Sequence, residues 1–182
     1  MGHAGFILKR HWELRENPYS DWEFCPSDPR TYELQFDLYR DAMEAIPDGK
    51  YLHIGGDEIT AIGIDERCKA TGKTAFELQM IWLKKVCDFA VEHGRTPIFW
   101  DDMPLKYADL WWLLHRPLTD DEIRKNWNTS RLDEAIKMFP KNCIYMRWHY
   151  EDPTVLSHQM LLKWYHNCLL YTSPSPRDRT RS

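Results

Sequence analysis

The sequence predicts an α/β fold with parallel strands, of the barrel type rather than the doubly wound type. The main observation is a pattern that occurs three times: a helix, a tight turn, a short apolar run and a polar loop rich in acidic and aromatic residues. Helices alternating with buried strands form parallel sheets. No apolar run is followed by a glycine-rich phosphate loop, which argues against a doubly wound nucleotide-binding sheet.

The first unit begins at Asp28-Pro29, an N-cap residue followed by proline at the first helical position. The turn PDGK at 47–50 ends the helix, the run YLHI at 51–54 predicts a strand, and the polar loop GGDE follows. Apolar residues at spacings of three and four predict one buried stripe on this helix: Tyr32, Phe36, Tyr39, Met43 and Ile46.

The second and third units repeat this order. A helix is predicted from Thr74 to Glu92, with Gly94 at its C-terminal end, and TPIFW at 96–100 is the strand that follows. A third helix is predicted from Thr129-Ser130, with Leu132, Ile136 and Phe139 on one face, and CIYMRW at 143–148 is its strand. Because ligands bind beyond the carboxyl ends of parallel strands, the loops after these strands are expected to form one site.

The length leaves two possibilities, a different α/β fold or part of a barrel. A complete (β/α)₈ barrel needs about 250 residues, whereas this chain has 182. The end of the chain, YTSPSPRDRTRS at 171–182, is rich in Ser, Pro and Arg without apolar periodicity, which predicts disorder. It resembles translated read-through of a sequencing adapter, so the natural protein is expected to continue differently after about Asn167.

Composition excludes several classes of function. The net charge of −4 gives no basic surface for nucleic acid. No apolar run reaches the roughly 18 residues of a membrane span. The five cysteines are odd in number and form no CxxC pair, so buried free thiols are expected rather than a disulfide or zinc framework. Nine Trp and nine Tyr could serve in the core or as flat platforms for sugar rings.

The most informative stretch is HIGGDE, at 53–58. Gly55 and Gly56 permit backbone angles that other residues avoid and let a ligand approach the main chain. Asp57 and Glu58 are then presented at the strand tip. Adjacent carboxylates repel, so the pKa of one is expected to rise, which suits a general acid. The alternative is an acidic turn that begins a helix, where carboxylates favour the helix dipole.

Adjacent acids fit poorly with ordinary retaining glycosidases, whose two carboxyl groups flank the bond about 5–5.5 Å apart. They fit a mechanism in which one carboxyl group handles the leaving group and its neighbour orients another part of the substrate. YLHIGGDEI resembles the signature of the family 20 glycoside hydrolases, the β-N-acetylhexosaminidases, whose motif ends the fourth strand of a (β/α)₈ barrel. The stretches FCPSDPRTYELQFDLYRDAMEAIPDGK and RTPIFWDDM also resemble that family.

The resemblance implies a partial (β/α)₈ barrel over residues 1–168, roughly strand 3 to strand 6 or 7, followed by a disordered, non-native tail over 169–182. It implies hydrolysis of terminal N-acetylhexosamine residues from β-linked N-acetylglucosamine or N-acetylgalactosamine glycans, without metal or cofactor. The mechanism implied is substrate-assisted and retaining, through an oxazolinium intermediate. An incomplete barrel is expected to be unstable and inactive by itself. Location and oligomeric state stay open.

The resemblance also implies roles for single residues. Glu58 matches the general acid and base, and Asp57 the carboxylate that orients the substrate's acetamido group. The implied substrate-binding residues are His3, at the end of the third strand, the motif residue His53, Trp100 on the acetamido pocket, and Trp148, Tyr150 and Asp152 in a later loop. Of these, the match of WHYED at 148–152 is the loosest.

Other readings of these residues stay open. His53, Asp57 and Glu58, completed by His149 or Asp102, could bind zinc or manganese in a metal-dependent barrel hydrolase. A non-catalytic, sugar-binding relic of a barrel is a further alternative.

Four residues near the predicted strands have competing explanations. Trp111 and Trp112 are expected to pack in the core or on a helix face rather than in a sugar subsite. Asp101 and Asp102 could assist the site, or be solvated loop acids or a helix cap.

Overall fold

The computed structural model describes residues 1–138, 143–147, 152, 154–167 and 171–172. Two short 3₁₀ turns, Trp12–Leu14 and Ile136–Met138, accompany the regular elements. The strands are β1 (Tyr51–His53), β2 (Thr96–Trp100), β3 (Ile144–Met146) and β4 (Tyr171–Thr172). The helices are α1 (Gly5–Leu8), α2 (Pro29–Ala45), α3 (Glu66–Lys69), α4 (Ala75–Glu92), α5 (Asp102–Tyr107), α6 (Trp111–Leu114), α7 (Asp120–Asn126), α8 (Ser130–Ala135) and α9 (Leu156–Asn167).

The four strands form one parallel sheet in the order β1-β2-β3-β4. Tyr51 pairs with Thr96, and Ile98 pairs with Ile144. Each strand therefore lies beside the next one along the chain, with helices in each connection. Among the described strands the order never reverses, which is the arrangement of a β/α barrel and not of a doubly wound sheet.

The two long helices begin where the sequence predicts. Asp28 caps α2 by accepting a hydrogen bond from the Arg30 N–H at 2.9 Å, with Pro29 next in the chain. Thr74 and Glu77 form a reciprocal capping box at the start of α4. These caps satisfy backbone N–H groups that have no partner within the helix, so both helix starts are encoded locally.

Packing of α2 and α4 beside the sheet supplies much of the core. Phe36 of α2 stacks on Phe89 of α4 with ring centroids 4.1 Å apart. The fully buried Trp82 donates its indole N–H to Gln35 at 3.0 Å, so the polar atom of this large side chain is satisfied. Four of the five residues of the predicted stripe on α2 pack in or against the core, as expected for an amphipathic helix. The prediction is wrong for Ile46, which lies at the C-terminal end of α2 and is 66% exposed.

The third unit differs in detail from its prediction. The helix that begins near Thr129 is short, since α8 ends at Ala135 and continues as a 3₁₀ turn to Met138. Phe139, predicted on this helix, and Trp148, predicted at the end of the strand after it, lie outside the described residues.

The segment predicted to be a disordered tail contains two described residues. Tyr171 and Thr172 pair with β3 as strand β4. Residues 173–182 lie outside the described part of the chain.

The cysteines and helices bear on two further expectations. The four described cysteines, Cys25, Cys68, Cys87 and Cys143, are buried as predicted and are not joined by disulfides, and Cys168 lies outside the described residues. Within the described ranges, no helix combines the length and apolar character needed to cross a membrane.

Candidate active site

The candidate site lies at the carboxyl edge of the sheet. Since β1, β2 and β3 are parallel, the residues that follow them meet at one edge. Gly55 to Glu58 follow β1, Asp101 and Asp102 follow β2, and Arg147 follows β3. Two backbone hydrogen bonds join these strand ends: Trp100 N–H donates to the Gly55 carbonyl at 3.1 Å, and Asp101 N–H donates to the Met146 carbonyl at 3.1 Å.

The backbone after β1 takes an unusual course at Gly56 and Glu58. Gly56 has φ +99°, and a Cβ there would lie 3.3 Å from the Trp82 ring, so glycine suits this position for both reasons. Glu58 has φ +47°, a left-handed conformation that is uncommon for a residue with a side chain. Strain of this kind persists only where surrounding contacts hold the backbone.

Two side chains hold the main chain of Glu58. Its N–H donates to Asp102 Oδ2 at 2.9 Å, and its carbonyl accepts from the Trp22 indole N–H at 2.8 Å. Asp102 follows β2, whereas Trp22 belongs to the segment before α2. The direction of the Glu58 side chain is therefore set by two distant parts of the chain.

His3 contacts both acids of the motif. Its Nε2 lies 3.2 Å from Asp57 Oδ2 and 3.3 Å from Glu58 Oε2. The His3 ring also contacts the Trp22 ring, with centroids 4.4 Å apart. A Cβ on Gly2 would lie 2.5 Å from the Asp57 carbonyl oxygen, so only glycine allows this approach. The structure thus brings together three residues that the sequence predicts for the site.

His53 and Trp100 form a second contact at this edge. Their ring centroids are 5.0 Å apart, and His53 Nδ1 accepts a hydrogen bond from the Gly55 N–H at 3.1 Å. Desolvation lowers the pKa of His53, an effect that the Asp57 carboxylate opposes. A neutral imidazole that accepts at Nδ1 fits this hydrogen bond, and the ring supports the turn that presents Asp57.

Of the three site residues predicted in the loop after β3, the structure describes only Asp152. Trp148 and Tyr150 lie outside the described residues. Asp152 is exposed and accepts hydrogen bonds from the Thr154 N–H at 2.8 Å and the Thr154 hydroxyl at 2.7 Å. These contacts form a local turn and leave the predicted binding of a sugar hydroxyl untested.

Asp101 and Asp102 are both buried, with 1% exposure, so one of the alternatives that the sequence left open, solvated loop acids, is excluded. Asp101 accepts from the Tyr165 hydroxyl at 2.5 Å and pairs with Arg147 at 3.2 Å. Burial raises the pKa of Asp102 to about 6, although the hydrogen bond from the Glu58 N–H opposes the rise. The available signal was the position of both acids directly after β2, beside the GGDE loop.

A pocket of about 300 Å³ opens beside Glu58. Trp22 and Trp111 supply aromatic walls, and Lys106 donates to the Ile59 carbonyl at 3.1 Å. Trp111 lies on α6 and packs against the core, as expected, and it also lines this pocket. The other lining residues are Glu58, Ile59, Thr60, Asp102 and Met103. Asp57 and Trp100 lie outside these walls, so the pocket adjoins only one of the two motif acids.

The metal-dependent alternative gains no support from this edge of the sheet. Within the described part of the chain, His53, Asp57 and Glu58 do not bring three ligand atoms within 4.8 Å of one another, and Glu16, Cys25 and Cys68 are the group that does. His149, one of the residues suggested to complete such a shell, lies outside the described residues.

Comparison with known proteins bears on the same residues. The family model described as "Glycosyl hydrolase family 20, catalytic domain" matches residues 8–158. A solved β-N-acetylhexosaminidase from Bacteroides fragilis NCTC 9343 superposes with a TM-score of 0.64 at 16% identity, over 95% of this chain and 30% of that one. Dispersin B superposes with a TM-score of 0.47 at 14% identity, over 91% of this chain and 36% of that one.

No curated protein sequence matches the chain. The chain spans about a third of the length of each of the two solved structures.

Proposed function

This chain belongs to glycosyl hydrolase family 20, and we propose that it is the central part of a β-N-acetylhexosaminidase. The intact enzyme removes terminal N-acetylhexosamine residues from glycans carrying β-linked N-acetylglucosamine or N-acetylgalactosamine. The reaction is substrate-assisted and retains configuration, through an oxazolinium intermediate. Family membership supports glycoside hydrolysis, and the arrangement of the motif residues supports the mechanism.

The observation that carries the proposal is the contact of one imidazole with both motif acids. His3 Nε2 lies 3.2 Å from Asp57 and 3.3 Å from Glu58, so both carboxylates face one shared space. The side chains differ in exposure, 24% for Asp57 and 51% for Glu58. The more exposed Glu58 also borders the pocket beside Trp22 and Trp111, where a departing sugar or alcohol has room.

In the proposed first step, Glu58 protonates the glycosidic oxygen while the acetamido oxygen of the substrate attacks C1. Asp57 accepts a hydrogen bond from the acetamido N–H and balances the positive charge of the oxazolinium ring. In the second step Glu58 takes a proton from water, which attacks C1 and reopens the ring. Since the sugar supplies the nucleophile, the two acids need not flank the bond, which fits their adjacency in the chain.

The supporting residues have positioning or binding roles in this scheme. Asp102 and Trp22 hold the Glu58 backbone, so they fix the direction of the proton donor. His3 lies between the acids, and His53 supports the turn before Asp57. Trp100 is proposed as a wall of the acetamido pocket, with Trp148, Tyr150 and Asp152 completing the sugar site.

We further propose that residues 1–168 are a partial (β/α)₈ barrel, running from about strand 3 to strand 6 or 7. The sequential order of β1, β2 and β3 supports this assignment, and the pairing of Tyr171 and Thr172 with β3 extends the sheet just beyond residue 168. The remaining strands would have to come from sequence outside the 182 residues, and the isolated chain is expected to lack activity.

The mechanism is tested with aryl β-glycosides on the intact enzyme. We expect hydrolysis of the N-acetylglucosaminide or N-acetylgalactosaminide, and no hydrolysis of the matched glucoside or galactoside, in which a hydroxyl replaces the acetamido group. A cyclic thiazoline analogue of the oxazolinium ring should inhibit competitively. Equal rates on acetamido and hydroxyl substrates, or no inhibition by the thiazoline, would overturn substrate assistance.

A further inference from the structure

We propose that Glu16, Cys25 and Cys68 bind a divalent metal ion of the zinc type. The site is buried and uses none of the residues assigned to the proposed reaction. One ligand comes from each of three segments: Glu16 follows the first 3₁₀ turn, Cys25 precedes α2, and Cys68 lies in α3. All three side chains are fully buried.

The distances between the ligand atoms suit a tetrahedral ion. Cys25 Sγ and Cys68 Sγ are 3.6 Å apart, and Cys68 Sγ lies 3.1 Å from Glu16 Oε2. Zinc bonds of about 2.3 Å to sulfur and 2.0 Å to oxygen at tetrahedral angles place two sulfurs about 3.8 Å apart and a sulfur and an oxygen about 3.5 Å apart. These two distances are within a few tenths of an ångström of that geometry, and Cys25 Sγ and the Glu16 oxygen lie within 4.8 Å of each other. The Ser27 hydroxyl, 3.2 Å from Cys68 Sγ, is available for a fourth position.

Two backbone N–H groups hold the other carboxylate oxygen of Glu16 in place. Glu16 Oε1 accepts hydrogen bonds from the Ile64 N–H at 2.7 Å and the Asp65 N–H at 3.1 Å. The orientation of the carboxylate is therefore set, with Oε2 facing Cys68 Sγ. Hydrogen bonds that fix a ligand carboxylate in this way are typical of protein metal sites.

The charge of the cluster also favours a divalent ion. Glu16 forms no ion pair with another residue in the described part of the chain, and a buried carboxylate without a counter-charge is costly. A divalent ion that replaces the two thiol protons leaves the net charge of the cluster unchanged. It also brings a positive charge into direct contact with the carboxylate.

The ligand types select the metal. Thiolate sulfur suits zinc and cobalt and disfavours magnesium and calcium, which bind oxygen. Because both thiols must lose their protons, affinity is expected to rise with pH, and binding should release two protons.

The bound ion would connect the N-terminal segment to the loop after Glu58. Arg67, next to Cys68, already donates to the Glu13 carbonyl at 2.9 Å and the Arg15 carbonyl at 3.1 Å. A metal bridge from Glu16 to Cys68 would reinforce this connection and anchor the end of the loop that begins at the strand tip. The site is therefore structural, and it stabilises the fold instead of supplying chemistry.

The test is a titration of the reduced intact enzyme, whose folding is first checked by circular dichroism, with Co²⁺, followed by displacement with Zn²⁺. We expect one equivalent to bind, with a thiolate-to-cobalt charge-transfer band in the near ultraviolet, a visible spectrum of the tetrahedral type and release of two protons. Cys25→Ser and Cys68→Ser should each weaken binding by at least about tenfold. Glu16→Gln, which keeps the side-chain shape, should weaken cobalt binding but keep the charge-transfer band, because both thiolates are still present.

Cys87→Ala is the matched control, because Cys87 is equally buried but belongs to α4. It should bind cobalt like the unaltered enzyme. Folding of each variant is checked by circular dichroism, and the titration of the unaltered enzyme decides the question if a variant does not fold. Reduced enzyme without a charge-transfer band at saturating cobalt would overturn the proposal. A charge-transfer band that persists when both Cys25 and Cys68 are replaced would also overturn it. So would a disulfide between these two cysteines, seen as a mass lower by two hydrogen atoms and as resistance of both residues to alkylation.

Discussion

Two pairs of adjacent acids follow neighbouring strands, and the protein treats them in opposite ways. Asp57 and Glu58, after β1, are 24% and 51% exposed, whereas Asp101 and Asp102, after β2, are each 1% exposed. The exposed pair shares His3 and faces open space. The buried pair is hydrogen-bonded to the protein, Asp101 with Tyr165 and Arg147 and Asp102 with the Glu58 backbone.

In the proposed mechanism, this difference separates the acids that act on the substrate from the acids that hold the site in place. A carboxyl group that must reach a substrate cannot have all its hydrogen bonds satisfied within the protein. A carboxyl group that fixes its neighbour must be enclosed, and enclosure raises its pKa, as burial does for Asp101 and Asp102. Substitutions in the exposed pair should therefore reduce catalysis and spare the fold, while substitutions in the buried pair should change stability first.

The largest expected effect is on catalysis by Glu58→Gln in the intact enzyme. Loss of the proton donor should lower kcat/KM about 10³-fold for a substrate with a poor leaving group. The loss should be much smaller for an activated aryl leaving group, which departs without a proton. Equal losses for both substrates would argue that Glu58 is not the donor. Glu66→Gln, an exposed glutamate of α3, is the control and should leave both rates unchanged.

Asp57→Asn should reduce kcat about 10²-fold, because the amide cannot balance the charge of the oxazolinium ring. The fold should be retained, since Asp57 is partly exposed. Steady-state kinetics and circular dichroism on the same sample separate the two effects. A rate equal to that of the unaltered enzyme would remove Asp57 from the mechanism.

Asp101→Asn should chiefly reduce stability. Arg147, which is also buried, would lose its counter-charge at a cost of about 3 kcal/mol. Thermal unfolding should show a decrease in Tm of about 6–12 °C. The matched control is Asp109→Asn, whose pairing with Arg131 at 3.0 Å is exposed and should contribute less than about 1 kcal/mol. Similar decreases in Tm for Asp101→Asn and Asp109→Asn would mean that the buried ion pair contributes no more to stability than the exposed one.

The smallest expected effect is a change in pH dependence for Asp102→Asn. Burial raises the pKa of Asp102 from its ordinary 3.8 to about 6, so the folded state binds this proton more tightly than the unfolded state. The stability associated with this group is therefore present at pH 4 and is lost as the pH rises through about 6.

Asparagine cannot ionise and still offers an oxygen to the Glu58 N–H. The Asp102→Asn variant should therefore be more stable than the unaltered protein at pH 7.5, by roughly 2 kcal/mol, and equal to it near pH 4. Urea unfolding at both pH values measures the difference. Asp102→Ala is the contrasting variant, because it leaves the Glu58 N–H without its acceptor and should be less stable at both pH values. If the free energy of unfolding of Asp102→Asn depends on pH as it does in the unaltered protein, another group must cause that dependence.

Local signals in the sequence predicted the framework well. Asp28-Pro29 and the Thr74–Glu77 capping box mark helix starts that depend only on nearby residues, and the structure has both. The strand YLHI and the acids after it could be identified because a buried strand and a glycine-rich exit leave a pattern within ten residues. The helix near Thr129 was predicted too long, because its shortening to Ala135 is not marked by glycine or proline.

The environment of single side chains could not be predicted in this way. Asp101 and Asp102 are acids after a strand, as Asp57 and Glu58 are, and nothing local indicates which pair is enclosed. Trp111 has the same immediate context whether it packs in a core or lines a pocket. Trp22, in the segment before α2, gave no signal at all, although its indole holds the Glu58 carbonyl.

By itself, the sequence determined the alternation of helix and parallel strand, the acids at the tip of β1 and the membership in a glycoside hydrolase family. These depend on hydrophobic periodicity, caps and a short motif, all of which act over a few residues. Only the tertiary structure decided that His3 meets both acids, that Asp102 holds Glu58 and that Glu16, Cys25 and Cys68 converge. Such contacts join residues up to 55 positions apart, and their distances depend on how whole segments pack around the core.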